Sequence, residues 1–337
     1  MLAAGAWLLA AFAVSLLLAR AAIAYAYRRG MLDQPGRRRS HRMPTPRGGG
    51  IGIVAALLTC APAALGRAWP PGVVAGWIIG LLLVAWVGWW DDHRALRIWP
   101  RLLVQVAAVA GFCVVLLHGQ AAWWWLLLLL PAGVWSINLH NFMDGIDGLL
   151  ALQALFVAGG MAVLAWSYGQ LPLALAMAVL AAAVLGFWTY NRPPARIFMG
   201  DVGSGSVGWV VFSFGAMLWR VDQASIWPVL ILSSAFAVDA GLTLLSRMLH
   251  GRRWYAAHRE HLYQWLVRRG ASHARVGAAY LAWNLLVAAP LAWLAAIHPS
   301  GGIAFTMVAY AVAGIAWFVL KSRLIRRRPT RIRHAAA

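Results

Sequence analysis

Apolar runs of membrane-spanning length recur from one end of the chain to the other, and polar residues gather in the gaps between them. A helix needs about 20 apolar residues to cross the hydrocarbon layer of a bilayer. Runs of that order fall near 3–27, 48–66, 71–90, 100–118, 122–141, 149–167, 171–190, 204–220, 226–248, 276–297 and 302–321. The pattern predicts an all-α polytopic membrane protein with about 11 transmembrane helices. They form a single transmembrane domain over 1–321, followed by a basic tail over 322–337. The connections HGQAA, SYGQLP and HPSGG are too short to build a domain outside the membrane.

Composition agrees, with 62% hydrophobic and 11% charged residues. A net charge of +20 would suggest nucleic acid for a soluble protein, but here its distribution along the chain decides its meaning. With the N-terminus outside, every Lys and Arg except Arg20, Arg67 and Arg220 falls on one side, in the loops 28–47, 91–100, 191–203 and 249–275, in the tail, or, for Arg101, Arg247 and Lys321, at the span ends that border them. The positive-inside rule makes that side the cytoplasm, so the C-terminus is cytoplasmic and the basic tail meets membrane lipids rather than nucleic acid. No Lys or Arg precedes Arg20, which marks a retained first span rather than a signal peptide. Cys60 and Cys113 lie in apolar runs and support neither a disulfide nor a thiolate metal site.

Chemistry concentrates in SINLHNFMDGIDGLL, where Asn138, Asn141, Asp144 and Asp147 stand three apart between two apolar walls. A carboxylate in hydrocarbon costs roughly 2.5 to 3.5 kcal/mol on the lenient insertion scale, so two here point to function. Gly145 and Gly148 predict a helix break that turns these residues to a shared cytoplasmic cavity over 142–148. In WWDDH, Asp91 and Asp92 leave the third span together. At about 5 Å such a pair repels by roughly 3 kcal/mol at an effective dielectric near 20, and calls for a cation, a proton or an arginine such as Arg94 or Arg97.

FMGDVGSGSVG places Asp201 in a glycine-rich helix start, where backbone amides favour a phosphate and a carboxylate suits Mg²⁺. His258 and His261, with Arg259 between them, could share one side of a helical turn near phosphates, or form a basic surface on lipid. His41, Arg42 and Arg47 before a triple glycine could close on a phosphate or only anchor their loop. Asp239, inside the ninth span, needs a partner, for which Arg247 is the candidate.

Taken together and in this order, SHRMPTPRGGG, WWDDH, NLHNFMDGIDGLL, FMGDVGSGSVG and AHREHLYQ resemble the polyprenyl-phosphate N-acetylhexosamine-1-phosphate transferases, glycosyltransferase 4 type enzymes related to the peptidoglycan-precursor translocase. The resemblance runs from about Arg38 to Gln264. It implies transfer of an N-acetylamino-sugar 1-phosphate from a UDP-sugar to undecaprenyl phosphate with release of UMP. The reaction would sit on the cytoplasmic side of the bacterial inner membrane, with Mg²⁺, or Mn²⁺ in its place, as cofactor.

By resemblance, Asp201 is the principal metal ligand, with Asp144 a second candidate. Asp91 is the general base or, in another scheme, the nucleophile, and Asp92 its neighbour at the lipid phosphate. Asn138, Asn141, Asp144, Asp147, His41, Arg47, His258, Arg259 and His261 form the nucleotide and sugar-phosphate site. The run HREHLYQ resembles the branch that initiates O-antigen rather than the peptidoglycan branch. The sugar is left open, and a homodimer is allowed. The rival readings are a cation-coupled secondary transporter and a lipid-linked-sugar flippase, neither of which would release UMP.

Overall fold

The computed structural model describes residues 2–34, 43–66, 68–119, 122–253, 255–256 and 258–326. Helices occupy the predicted runs. They are α1 (Leu2–Arg29), α2 (Ile51–Leu65), α3 (Pro71–His93), α4 (Ile98–Leu117), α5 (Leu126–Phe142), α6 (Leu149–Ser167), α7 (Leu171–Asn191) and α8 (Gly200–Val221). Beyond them lie α9 (Ile226–Leu232), α10 (Ser234–Leu249), α11 (Leu262–Arg268), α12 (His273–Trp283), α13 (Ala289–Ile297) and α14 (Gly302–Arg326). A π-helical turn over Asn284–Ala288 joins α12 to α13.

Among the described residues, 8 helices are long and apolar enough to cross a membrane, counting α12 and α13 as one, and 9 when α9 and α10, bent by 74°, form one broken span. α2 has 15 residues and α5 has 17, fewer than the roughly 20 of a full crossing. Each predicted run therefore coincides with a helix or a helix pair, and two of them are short. Exposed Leu9, Leu17, Leu127 and Ile315 lie on the outside of the bundle, where lipid rather than water is the solvent.

The bundle is built around α8, in which every residue from Val202 to Trp219 is buried. Its first half is rich in Gly and Ser, and small residues let neighbouring backbones approach. A Cβ on Gly208 would fall 2.7 Å from Ile137 Cα in α5, and one on Gly88 in α3 would fall 2.6 Å from the Asp201 carbonyl carbon. The start of α8 is thereby wedged between the ends of α3 and α5, which brings three acid-bearing chain segments to one point.

Two features depart from the sequence reading. A two-residue antiparallel ribbon, β1 (Leu32–Asp33) with β2 (Thr45–Pro46), closes the base of the connection between α1 and α2. It is seated on the chain before α8, since Phe198 N–H donates to the Pro46 carbonyl at 2.8 Å and Gly49 N–H to the Phe198 carbonyl at 3.0 Å. The loop over 249–275 also carries a short helix, α11, which apolar periodicity does not reveal because only 7 residues are involved.

Candidate active site

The end of α3 delivers Asp91 and Asp92, and the two do different things. Asp92 is 2% exposed, and its oxygens accept from Asp201 N–H and Val202 N–H, each at 3.1 Å. It caps the N-terminus of α8 from a neighbouring helix, satisfying amides that have no intrahelical partner. Asp91 accepts from Leu96 N–H at 2.5 Å and from Arg101 at 2.7 Å. The same guanidinium reaches Asp201 at 3.1 Å, so Arg101 bridges the two acids. The cation beside Asp91 is thus Arg101, in the first turn of α4, in place of the expected Arg94 or Arg97.

The chain between α5 and α6 is irregular over 143–148, and Gly148, at φ 74°, makes the turn into α6 that a residue with a side chain would adopt only under strain. Asn191 fixes this turn. Its Oδ1 accepts from Gly148 N–H at 3.1 Å, and its Nδ2 donates to the Ile197 carbonyl at 2.9 Å, tying the loop to the approach to α8. Asp147 accepts from Ala195 N–H at 3.1 Å and pairs with His273 at 3.2 Å, at the start of α12. Tyr263 donates to the Phe142 carbonyl at 2.9 Å and docks α11 against the same loop.

These segments enclose a cavity of about 280 Å³ whose lining includes the carboxylates of Asp33, Asp92, Asp144, Asp147 and Asp201 with Arg47, Arg259 and His273 as cationic or titratable partners. Asp144 is the most perturbed acid in the connecting loops. Burial, and then the charges of Asp201, Asp92 and Asp147, push its carboxyl well above the ordinary range. Phe198 and Gln264 complete much of the wall.

Several expected residues lie elsewhere. α5 runs regularly to Phe142, so Asn138 and Asn141 fan around it instead of facing the cavity. Asn138 donates to Gln105 in α4 at 2.7 Å, and Asn141 to Ser204 in α8 at 3.1 Å. Both are inter-helix ties. His258 and His261 do not share a helical turn, because His261 is the extended N-cap of α11, but their rings still lie 4.8 Å apart. They sit behind the cavity rather than on its wall, and burial pushes both imidazoles down, His258 to about 4.

Asp239 does not pair with Arg247. Its oxygens take Leu262 N–H at 2.7 Å, Tyr263 N–H at 3.3 Å, Tyr280 Oη at 2.6 Å and Trp317 Nε1 at 3.1 Å, while Arg247 binds Glu260 at 2.5 Å. A carboxylate from α10 therefore caps α11 much as Asp92 caps α8. His41 and Arg42 lie outside the described residues. Arg101, Asn191, Phe198, Gln264 and His273 were not singled out from sequence. Arg101 had a legible signal, as a cation at the membrane edge soon after an acid pair.

The donor set fits a hard divalent cation. The acids lining the cavity outnumber its cations, and Mg²⁺ takes only one or two carboxylates with water and substrate phosphate completing its shell. Among the described residues no three His, Cys, Asp or Glu side chains form a ready-made metal cage. Such a shell requires none.

The sequence profile of glycosyl transferase family 4 matches residues 74–218, the stretch from α3 through most of α8. The chain is 30% identical to the decaprenyl-phosphate N-acetylglucosaminephosphotransferase of Mycolicibacterium smegmatis, over 78% of this chain and 75% of that protein. It is 28% identical to a probable undecaprenyl-phosphate N-acetylglucosaminyl 1-phosphate transferase of Bacillus subtilis, over 72% of each. With the phospho-N-acetylmuramoyl-pentapeptide-transferase of Lactiplantibacillus plantarum it shares 29% identity over 52% of this chain, and spans 62% of that relative. The motifs and these likenesses agree, and the chain belongs to glycosyl transferase family 4.

Proposed function

We propose that this protein transfers an N-acetylamino-sugar 1-phosphate from a UDP-sugar to undecaprenyl phosphate at the cytoplasmic face of the bacterial inner membrane, initiating O-antigen or a related cell-surface polysaccharide. The observation that carries the reading is the convergence of Asp144, Asp147 and Asp201 with Arg47 and Arg259 on one cavity at the helix ends. The names of the mycobacterial and Bacillus relatives support the same chemistry. Acids held at helix ends suit a surface reaction better than a cation pathway at mid-bilayer.

In the reaction, an oxygen of the lipid phosphate attacks the sugar-bearing phosphorus of the donor, and the bond from that phosphorus to UMP breaks. Both partners are anionic, so the barrier is set by charge neutralisation and alignment. A divalent cation, Mg²⁺ in our reading, would be held by Asp201 and Asp144 and would supply charge neutralisation on the phosphates. Arg47 and Arg259 add positive charge on the cavity wall.

A lipid phosphate is already a nucleophile at neutral pH. Both Asp91 oxygens are engaged, by Leu96 N–H and Arg101, which favours direct attack over a covalent aspartyl intermediate. Asp91 then acts by holding Arg101 against Asp201, and Asp92 by fixing the start of α8. Asp201→Asn should keep the fold, lower UMP release by at least about 100-fold, in line with loss of a charge-stabilising group, and abolish its metal dependence. Wild-type turnover in that variant would overturn the assignment.

A further inference from the structure

The loop over 249–275 meets the cavity with one side and is gripped from the other. On the cavity side, Arg259 and Gln264 belong to the wall. On the far side, the carboxylate of Asp239 takes the first amides of α11 together with Tyr280 of α12 and Trp317 of α14, so α10, α12 and α14 close on the start of α11 at one point. Thr243, one turn along α10, donates to the same carboxylate at 3.4 Å. The Lys321 ammonium lies 3.5 Å from the Thr243 hydroxyl and 4.1 Å from the centre of the Trp317 ring, which fastens the C-terminal end of α14 to this knot. A buried carboxylate is costly unless its oxygens are hydrogen-bonded, and these donors fill them.

Tyr263 carries the anchorage through to the acids. Its side chain is fully buried, and its backbone N–H is one of the amides on Asp239. Its hydroxyl donates to the carbonyl of Phe142, the last residue of α5, and accepts from Gln264 Nε2 at 3.1 Å. The same oxygen stands where a side chain on Gly145 would begin, since a Cβ there would lie 2.1 Å from it. Gly145 follows Asp144, and both line the cavity. The turn that bears Asp144 therefore rests on the tip of a tyrosine whose own backbone is held by Asp239.

We propose that Tyr263 is a positioning residue for the sugar-nucleotide donor: locked from behind by Asp239, it sets Asp144, Arg259 and Gln264 in the cavity. Helix α14, which supplies none of the described lining residues, thereby helps to shape the site through Trp317 and Lys321. Tyr263 is not on the wall either, and acts through the turn over 143–148 and through Gln264. The proposal rests on the donor reading above and adds to it a lock outside the cavity.

The test uses the full-length protein in nanodiscs, first without substrate. Tyr263→Phe, which removes only the hydroxyl, should speed hydrogen exchange over 142–148, and Trp317→Phe, in α14, should speed it over 142–148 and 262–264. Each should raise the donor KM by about tenfold, as misplacement of binding groups does, and leave the acceptor KM unchanged. Tyr310→Phe, which deletes an α14 hydroxyl bonded to the Leu230 carbonyl at 3.1 Å, should alter neither exchange nor donor KM. Gly145→Ala should raise the donor KM, and by a smaller factor when combined with Tyr263→Phe, which takes away the clashing oxygen.

Unchanged exchange over 142–148 in Tyr263→Phe, equal rises in donor and acceptor KM, simple additivity of Gly145→Ala and Tyr263→Phe, or an effect of Tyr310→Phe as large as that of Trp317→Phe would overturn the proposal. If the wild type releases UMP from no UDP-amino sugar, the donor reading fails. Faster exchange over 142–148 in Tyr263→Phe, with none in Tyr310→Phe, would still support the lock.

Discussion

Asp144 shows how far the site departs from what an isolated fold would prefer. Its carboxyl is buried near three other acids, so its folded pKa lies above the unfolded value near 3.8. A group raised in this way favours the folded state at low pH, and that advantage is lost as pH rises through the folded value. Asp144→Asn should therefore melt at a higher temperature than wild type at pH 8 in EDTA, with the gap closing near pH 4, while activity falls. Intrinsic tryptophan fluorescence on heating would measure it, and a gap independent of pH would argue against the charge account. His258, pushed down to about 4, works in the other direction, with stability lost as pH falls from its unfolded value near 6.5.

Legibility at this scale followed burial and charge. Carboxylates in an apolar chain stand out because they are costly, which is why Asp91, Asp92, Asp144, Asp147 and Asp201 could be picked from sequence. Asn138 and Asn141 were misplaced not because of the helix break, which does follow them, but because the last turns of α5 carry them to Gln105 of α4 and Ser204 of α8 instead of to the cavity. Arg101 looked like one basic residue among many. Only the fold sets it between Asp91 and Asp201.

Among the helices, the recurring device is a buried carboxylate that caps a neighbour. Asp92 holds the start of α8 and Asp239 the start of α11, and each capped helix lies next to the cavity. Removing the Asp92 acceptor leaves buried amides unpaired, at about 1 to 3 kcal/mol for each such group. Asp92→Ala should lower the melting temperature and speed hydrogen exchange at Asp201 and Val202, and Asp92→Asn, which keeps one acceptor oxygen, should recover part of both. Unchanged exchange at those amides in Asp92→Ala would refute the cap. Such caps cannot be read from sequence, since their partners lie 109 and 110 residues away for Asp92 and 23 and 24 for Asp239.

For the molecule as a whole, apolar run length gave the helical plan closely, because lipid requires each backbone group to be satisfied within its own segment. It could not foresee that α9 and α10 bend by 74° or that α11 forms in a polar loop, both of which depend on packing. The placement of basic residues set the proposed orientation, and the glycines of α3 and α8 explain why acids far apart in sequence meet.

The central claim is group transfer at that meeting point. Purified protein supplied with undecaprenyl phosphate, Mg²⁺ and a panel of UDP-amino sugars should release UMP one for one with a polyprenyl-diphosphate sugar detected by mass spectrometry. No UMP from any donor, or UMP released without a lipid-linked product, would contradict it.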